Sequence, residues 1–200
     1  MDFDFGKMTI SSFIEELSSS SPAPGGGAVA GLSGAQAMAL ASMVCEVSAA
    51  SKKMSEHREE LLVIADEAKR MMRNFIELAN RDAQAYDDVI KAMALPKDTD
   101  EQKLSRTASM QTAMKTALSV PLEMMNECLD GLKLCRKISE TGYLKSIESD
   151  LVAAKQCLST AIICAENNVD ANMPYIKDEE FCTVADRERM IIKKEFAELA

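Results

Sequence analysis

One aspartate stands where an apolar residue belongs. Leu61, Ala65, Ala68, Met72, Phe75, Ala79, Asp82, Tyr86, Val89 and Met93 alternate steps of four and three, the spacing of one buried helical seam. A carboxylate on such a seam loses water, so it must find a partner, keep its proton to higher pH, or move protons in a reaction. Tyr86, one turn on, offers a hydroxyl or a ring face beside it. The competing reading of Asp82 is a structural ion pair or a hydrogen-bonded core acid. A second seam, Leu151, Ala154, Leu158, Ala161, Ala165, Asn168 and Asn172, ends in two amides one turn apart. These either orient a ligand's polar edge or close a helix at its rim.

The other candidate chemistry is a turn. Pro22-Ala23-Pro24 leads into Gly25-Gly26-Gly27, and no charged residue occurs between Glu16 and Glu46. Pro24, Gly25, Gly26 and Gly27 cannot propagate a helix, but they let the backbone approach another group closely. Free N–H groups at the start of the following helix suit a carboxylate, a phosphate or a polar ring edge. The plainer alternative is a tight turn into a buried central helix. Dinucleotide-binding and P-loop spacings are absent, with no strand before the glycines and no Lys-Ser/Thr pair after them. Lys52, Lys53 and Arg106 are candidate anion holders in an acidic chain, the plainer alternative being solvated surface lysines. Asp150 stands beside Ser149 at a helix start, where the dipole favours a negative charge.

These residues need helices to hold them, and helical period runs through almost every segment. A short helix is predicted from Ser12, which has capping-box spacing to Glu15. The Ala-rich helix after the glycines runs to about Ser51-Lys52-Lys53. A long helix follows from about Ser55 to Ala94, stopped by Leu95-Pro96. Thr99 and Gln102 form a capping box for a helix to about Ile138. Pro121 should bend that helix rather than end it, because Leu118, Leu122, Met125, Leu129 and Leu132 keep their stripe. Thr141-Gly142 breaks the chain, Ser149 is expected to cap a helix to Asn172, and a last helix covers about Val184 to Leu199. The expectation is an all-α, single-domain bundle over residues 1–200, built around the small-residue central helix.

Composition narrows the partners. A net charge of −9 over 200 residues argues against nucleic acid or an anionic membrane. The uncharged run is long enough for a membrane span, but Ala, Gly, Ser and Gln make it weakly hydrophobic and no basic flank orients it. Met1-Asp2-Phe3-Asp4-Phe5 lacks the basic start and apolar run of a signal peptide, so a cytoplasmic protein is expected. The six cysteines include pairs seven apart, Cys128/Cys135 and Cys157/Cys164, which is core spacing. With no CxxC and His57 the only histidine, free thiols are expected and no metal site.

Taken in order, several segments resemble the cyclodeaminase/cyclohydrolase family of folate enzymes. They are Ser21-Pro22-Ala23-Pro24-Gly25-Gly26-Gly27-Ala28-Val29-Ala30, Ala41-Ser42-Met43-Val44, Asp82-Ala83-Gln84-Ala85-Tyr86 and Leu95-Pro96-Lys97. Ser119-Val120-Pro121-Leu122, Ser149-Asp150-Leu151 and Asn168-Val169 with Asn172 complete the set. The chain departs from the family pattern at Ser51, Tyr143 and Cys45-Glu46. The resemblance implies an all-helical dimer with neither metal nor redox cofactor, and it assigns the catalytic role to Asp82. Tyr86, Asn168 and Asn172 would shape the pocket, the glycine turn would admit the pterin, and Lys52, Lys53 or Arg106 would face the glutamate tail. Two reactions belong to the family. In one, 5-formiminotetrahydrofolate closes to 5,10-methenyltetrahydrofolate with loss of ammonia; in the other, the methenyl compound opens to 10-formyltetrahydrofolate. The run from Leu95 to Lys103 points to the cyclodeaminase. A helical oligomer that binds folate without turnover is the remaining alternative. A homodimer or larger even oligomer is expected, with the helix carrying Gly31, Gly34, Ala35, Ala37 and Ala39 at or near the contact.

Overall fold

The computed structural model of the chain describes residues 4–199, and no strand occurs among them. Met1 to Phe3, part of the segment read for a signal peptide, lie outside the described residues. Helix α1 (Ile10–Leu17) starts one turn earlier than Ser12 predicts. Thr9 is its cap, Oγ1 accepting the Ser12 N–H at 3.1 Å, so the Ser12/Glu15 box does not form. Phe13 on its inner face meets Phe5 edge-on, with ring centroids 5.4 Å apart.

Helix α2 (Gly26–Ala50) is the centre, and α3 (Arg58–Ala94), α4 (Asp100–Thr141) and α5 (Glu148–Asn172) pack along it. Its length and apolar composition would suit a membrane span, yet more than half of it is buried against those neighbours. The glycines explain how α3 comes so near. A Cβ on Gly31 would sit 2.8 Å from the Phe75 carbonyl oxygen, and one on Gly34 would sit 2.5 Å from the Phe75 ring. These two positions therefore serve contact with α3 within the chain. A different stripe of α2 is left partly or wholly open: Val29, Ser33, Gln36, Leu40, Met43 and Val47, again in steps of four and three.

A 3-10 turn (Lys52–His57) precedes α3, so α3 begins three residues after Ser55. Thr99 and Gln102 form the predicted capping box on α4. The helix continues through Pro121, and Leu118, Leu122, Met125, Leu129 and Leu132 are all buried. Ser149 is not a cap: α5 already starts at Glu148, and no side chain bonds its first turn from the cap position, Ile147. The last helix, α6 (Glu179–Leu199), begins more than a turn before Val184. Asp178 starts it, Oδ1 accepting the Phe181 N–H at 3.0 Å. All six cysteines are free thiols, and burial pushes Cys45 and Cys135 up to about 12.

Candidate active site

Two elements bring Asp82 and the glycine turn together. The Asp82 carboxylate, on α3, lies against the first turn of α2, so close that a Cβ on Gly27 would come within 2.2 Å of both its oxygens. Only glycine leaves room there. Gly26 is less demanding, its Cβ position lying 3.4 Å from Asn168 Nδ2, and Gly25 is open, with nothing nearer than 4.0 Å. Pro24 is buried behind the turn, and the Ala23-Pro24 peptide is cis. Gly26 and Gly27, expected in a non-helical turn, instead form the first turn of α2, where an unsupported helix start tolerates glycine; Gly25 caps it without any side-chain bond, so the first N–H groups have no side-chain acceptor at that cap.

Asp82 makes no hydrogen bond or ion pair among the described residues. Burial alone pushes its carboxyl up to about 6, so near neutral pH it takes and returns a proton readily. The structural ion-pair reading has no partner to support it. The seam carrying Asp82 is closed from Leu61 to Ala79 except at half-buried Met72, then opens. Tyr86 is 44% and Met93 49% exposed, so these two line a cavity instead of the core.

That cavity has a volume of about 540 Å³. Asp82, Asn168 and Asn172 supply its polar groups together with Tyr86 and Tyr175, and Val89, Ile90, Met93, Met110 and Met114 supply apolar wall. No Lys, Arg or His lines it. Such a space accepts a flat, largely uncharged ring and holds one titratable group against it.

The remaining candidates fall elsewhere. Arg106 sits one turn before Met110 and donates from Nε and Nη2 to the Met93 carbonyl, at 3.2 and 3.1 Å, tying the end of α3 at the cavity's outer rim. Lys52 and Lys53 lie past the C-terminus of α2, the length of a 25-residue helix from Gly26, or about 37 Å. Asp150 is in the first turn of α5, at that same far end, where the Leu144 N–H donates to Ser48 Oγ. Tyr143 is there too, donating to Glu148 with Lys145 over its ring. Within one chain these residues do not meet Asp82. Met110, Met114 and Tyr175 were not singled out in the sequence, although the four-residue step between the methionines marks one helical face.

Fold and site together define an all-helical domain that presents one desolvated carboxyl to an apolar-walled pocket. Residues 9–190 match the formiminotransferase-cyclodeaminase family, and the chain belongs to it. It is 36% identical over 176 residues to the methenyltetrahydrofolate cyclohydrolase of Methylorubrum extorquens, covering 88% of this chain and 84% of that protein. The formimidoyltransferase-cyclodeaminase of Sus scrofa is 31% identical over 169 residues, which cover 84% of this chain but 31% of the pig protein. Among solved structures, the formiminotetrahydrofolate cyclodeaminase of Thermotoga maritima is similar with a TM-score of 0.86 and 25% identity, covering 97% of this chain and 92% of that one. The family expected from the ordered segments is thus the family found.

Proposed function

We propose that this chain acts on the one-carbon bridge between N5 and N10 of tetrahydrofolate, as a methenyltetrahydrofolate cyclohydrolase, with Asp82 as its proton carrier. The observation that carries the reading is the Asp82 carboxyl, raised to about 6 by burial and without a hydrogen-bond or ion-pair partner among the described residues, at the head of the cavity. The ionised carboxylate takes a proton from water as its oxygen bonds to the methenyl carbon. The tetrahedral centre then opens at the N5–carbon bond: the protonated carboxyl returns its proton to N5, and the hydroxyl proton leaves to solvent as the C=O bond forms, giving 10-formyltetrahydrofolate. The methenyl carbon is already electrophilic, so this chemistry calls for no cofactor. The likeness to the Methylorubrum extorquens cyclohydrolase over most of both chains favours this reaction.

Cyclodeaminase is the second reading, favoured by the Thermotoga maritima structure and by the Leu95 to Lys103 run. There N10 attacks the formimino carbon, its proton passing to Asp82, which then protonates the amine that leaves as ammonia. The same group serves both reactions because both pass through a tetrahedral carbon between two nitrogens. Offering the purified protein each folate and following methenyl absorbance decides between them. Loss of signal from the methenyl compound means cyclohydrolase, and gain from the formimino compound means cyclodeaminase. No change with either leaves a non-catalytic folate-binding protein. The chain is further proposed to form a dimer through the open stripe of α2 from Val29 to Val47, whose spacing suits a second copy of the same helix.

A further inference from the structure

Pro121 has no N–H, so the Ala117 carbonyl four residues before it in α4 loses the donor that a helix normally supplies. Asn172 replaces it from α5. Its Nδ2 donates to the Ala117 oxygen at 2.8 Å. A carbonyl only accepts, so the atom facing it must be the nitrogen, which fixes the orientation of the amide. Asn168 is fixed likewise, donating from Nδ2 to the Cys164 oxygen of its own helix at 2.8 Å. Neither Oδ1 accepts a hydrogen bond among the described residues, and neither is sealed away as a buried unpaired atom. Asn168, Asn172 and Ala117 all line the cavity that holds Asp82.

We propose that Pro121 is a positioning residue for the substrate: by freeing the Ala117 carbonyl it anchors Asn172, whose Oδ1 joins that of Asn168 in accepting from a donor-bearing ring edge. This rests on the folate reading, in which that edge is the amino and ring N–H groups of the pterin. With no Lys, Arg or His among the described lining residues and a carboxyl already present, the pocket offers acceptors to an uncharged donor edge and little to an anion. The proline thus acts at a distance from the ligand, through one carbonyl and one amide.

The anchor is tested first without ligand, by thermal unfolding of Asn172→Ala, Pro121→Ala and the double variant. Alone, Asn172→Ala strands a carbonyl and lowers the melting temperature by about 2–4 °C or more. In the Pro121→Ala background the new N–H reaches Ala117, and the same change costs less than half as much. Equal losses in both backgrounds overturn the anchor. Pro121→Ser replaces the alanine variant if that one is insoluble. Kinetics with whichever folate the wild type turns over supply the second arm. Pro121→Ala is expected to raise KM about 10-fold with kcat within about 3-fold, because Asp82 is untouched. Its melting temperature stays level or rises, since proline disfavours a helix interior. An unchanged KM, or a loss confined to kcat, overturns the positioning role. A wild type inert on both folates removes the folate reading and the choice of edge, while the unfolding cycle still decides whether Pro121 positions Asn172.

Discussion

Asp82 carries two opposed consequences of one cause. Burial raises its carboxyl from an ordinary 3.8 to about 6, so the folded chain binds more protons than the unfolded chain between those values. Stability therefore falls as pH rises from about 4 to about 6, and the cost is fully present above that window. Two pKa units correspond to about 3 kcal/mol. Asp82→Asn keeps the shape and removes the charge, so at pH 7–8 it is expected to be more stable than wild type by up to about that amount. The gain disappears below about pH 4, and denaturant titrations at several pH values check it. The same substitution removes proton transfer and is expected to lower kcat about 10²–10⁴-fold. A variant that turns over normally would take the catalytic role from Asp82. Gly27 belongs to this scale too. Gly27→Ala puts a methyl group into the carboxylate and is expected to abolish most activity in a folded protein, whereas Gly25→Ala, facing open space, leaves kcat within a few-fold. Circular dichroism and an initial-rate assay separate the two.

At the scale of elements, seams and stops were readable, and contacts between helices were not. Asp82, Asn168 and Asn172 were visible because each breaks an apolar period, and the structure puts all three on one cavity. The Thr99/Gln102 box was readable because its partners are three residues apart. Ser12 and Ser149 misled for the same local reason: each has cap chemistry, but the helix starts one turn sooner in α1 and two residues sooner in α5. Nothing local says that Lys52, Lys53 and Asp150 lie at the opposite end from Asp82, since that depends on how α2 and α5 run past one another. Nor does spacing tell which side of α2 meets α3. The glycines turned out to face Phe75, so Gly34→Leu is expected to act within the chain. It should lower the melting temperature sharply or cost soluble protein, because a leucine cannot share the space of the ring. A Gly34→Leu protein that melts like wild type would contradict this packing.

For the whole molecule, α3, α5 and α4 pack on α2, while α6 packs on α4, and the two sides of α2 differ. One side is closed by α3, α5 and α4; the other shows Val29, Ser33, Gln36, Leu40, Met43 and Val47. A second copy on that stripe is expected to give a particle of about twice the 21.8 kDa chain mass in light scattering, persisting on dilution to nanomolar protein. Leu40→Glu with Val47→Glu should return it to a monomer. A wild-type mass of one chain throughout would end the dimer proposal.

The 25 residues of α2 also connect that outer stripe to the seat of the acid, because Gly27 belongs to the same rigid rod. A shift of the outer stripe is expected to move Gly27 against Asp82, where a Cβ has no room. Under the proposed dimer, catalysis is expected to be subject to mass action. Specific activity is expected to fall once the protein is diluted below the dissociation constant of the pair, with KM and kcat changing together, and to return on reconcentration.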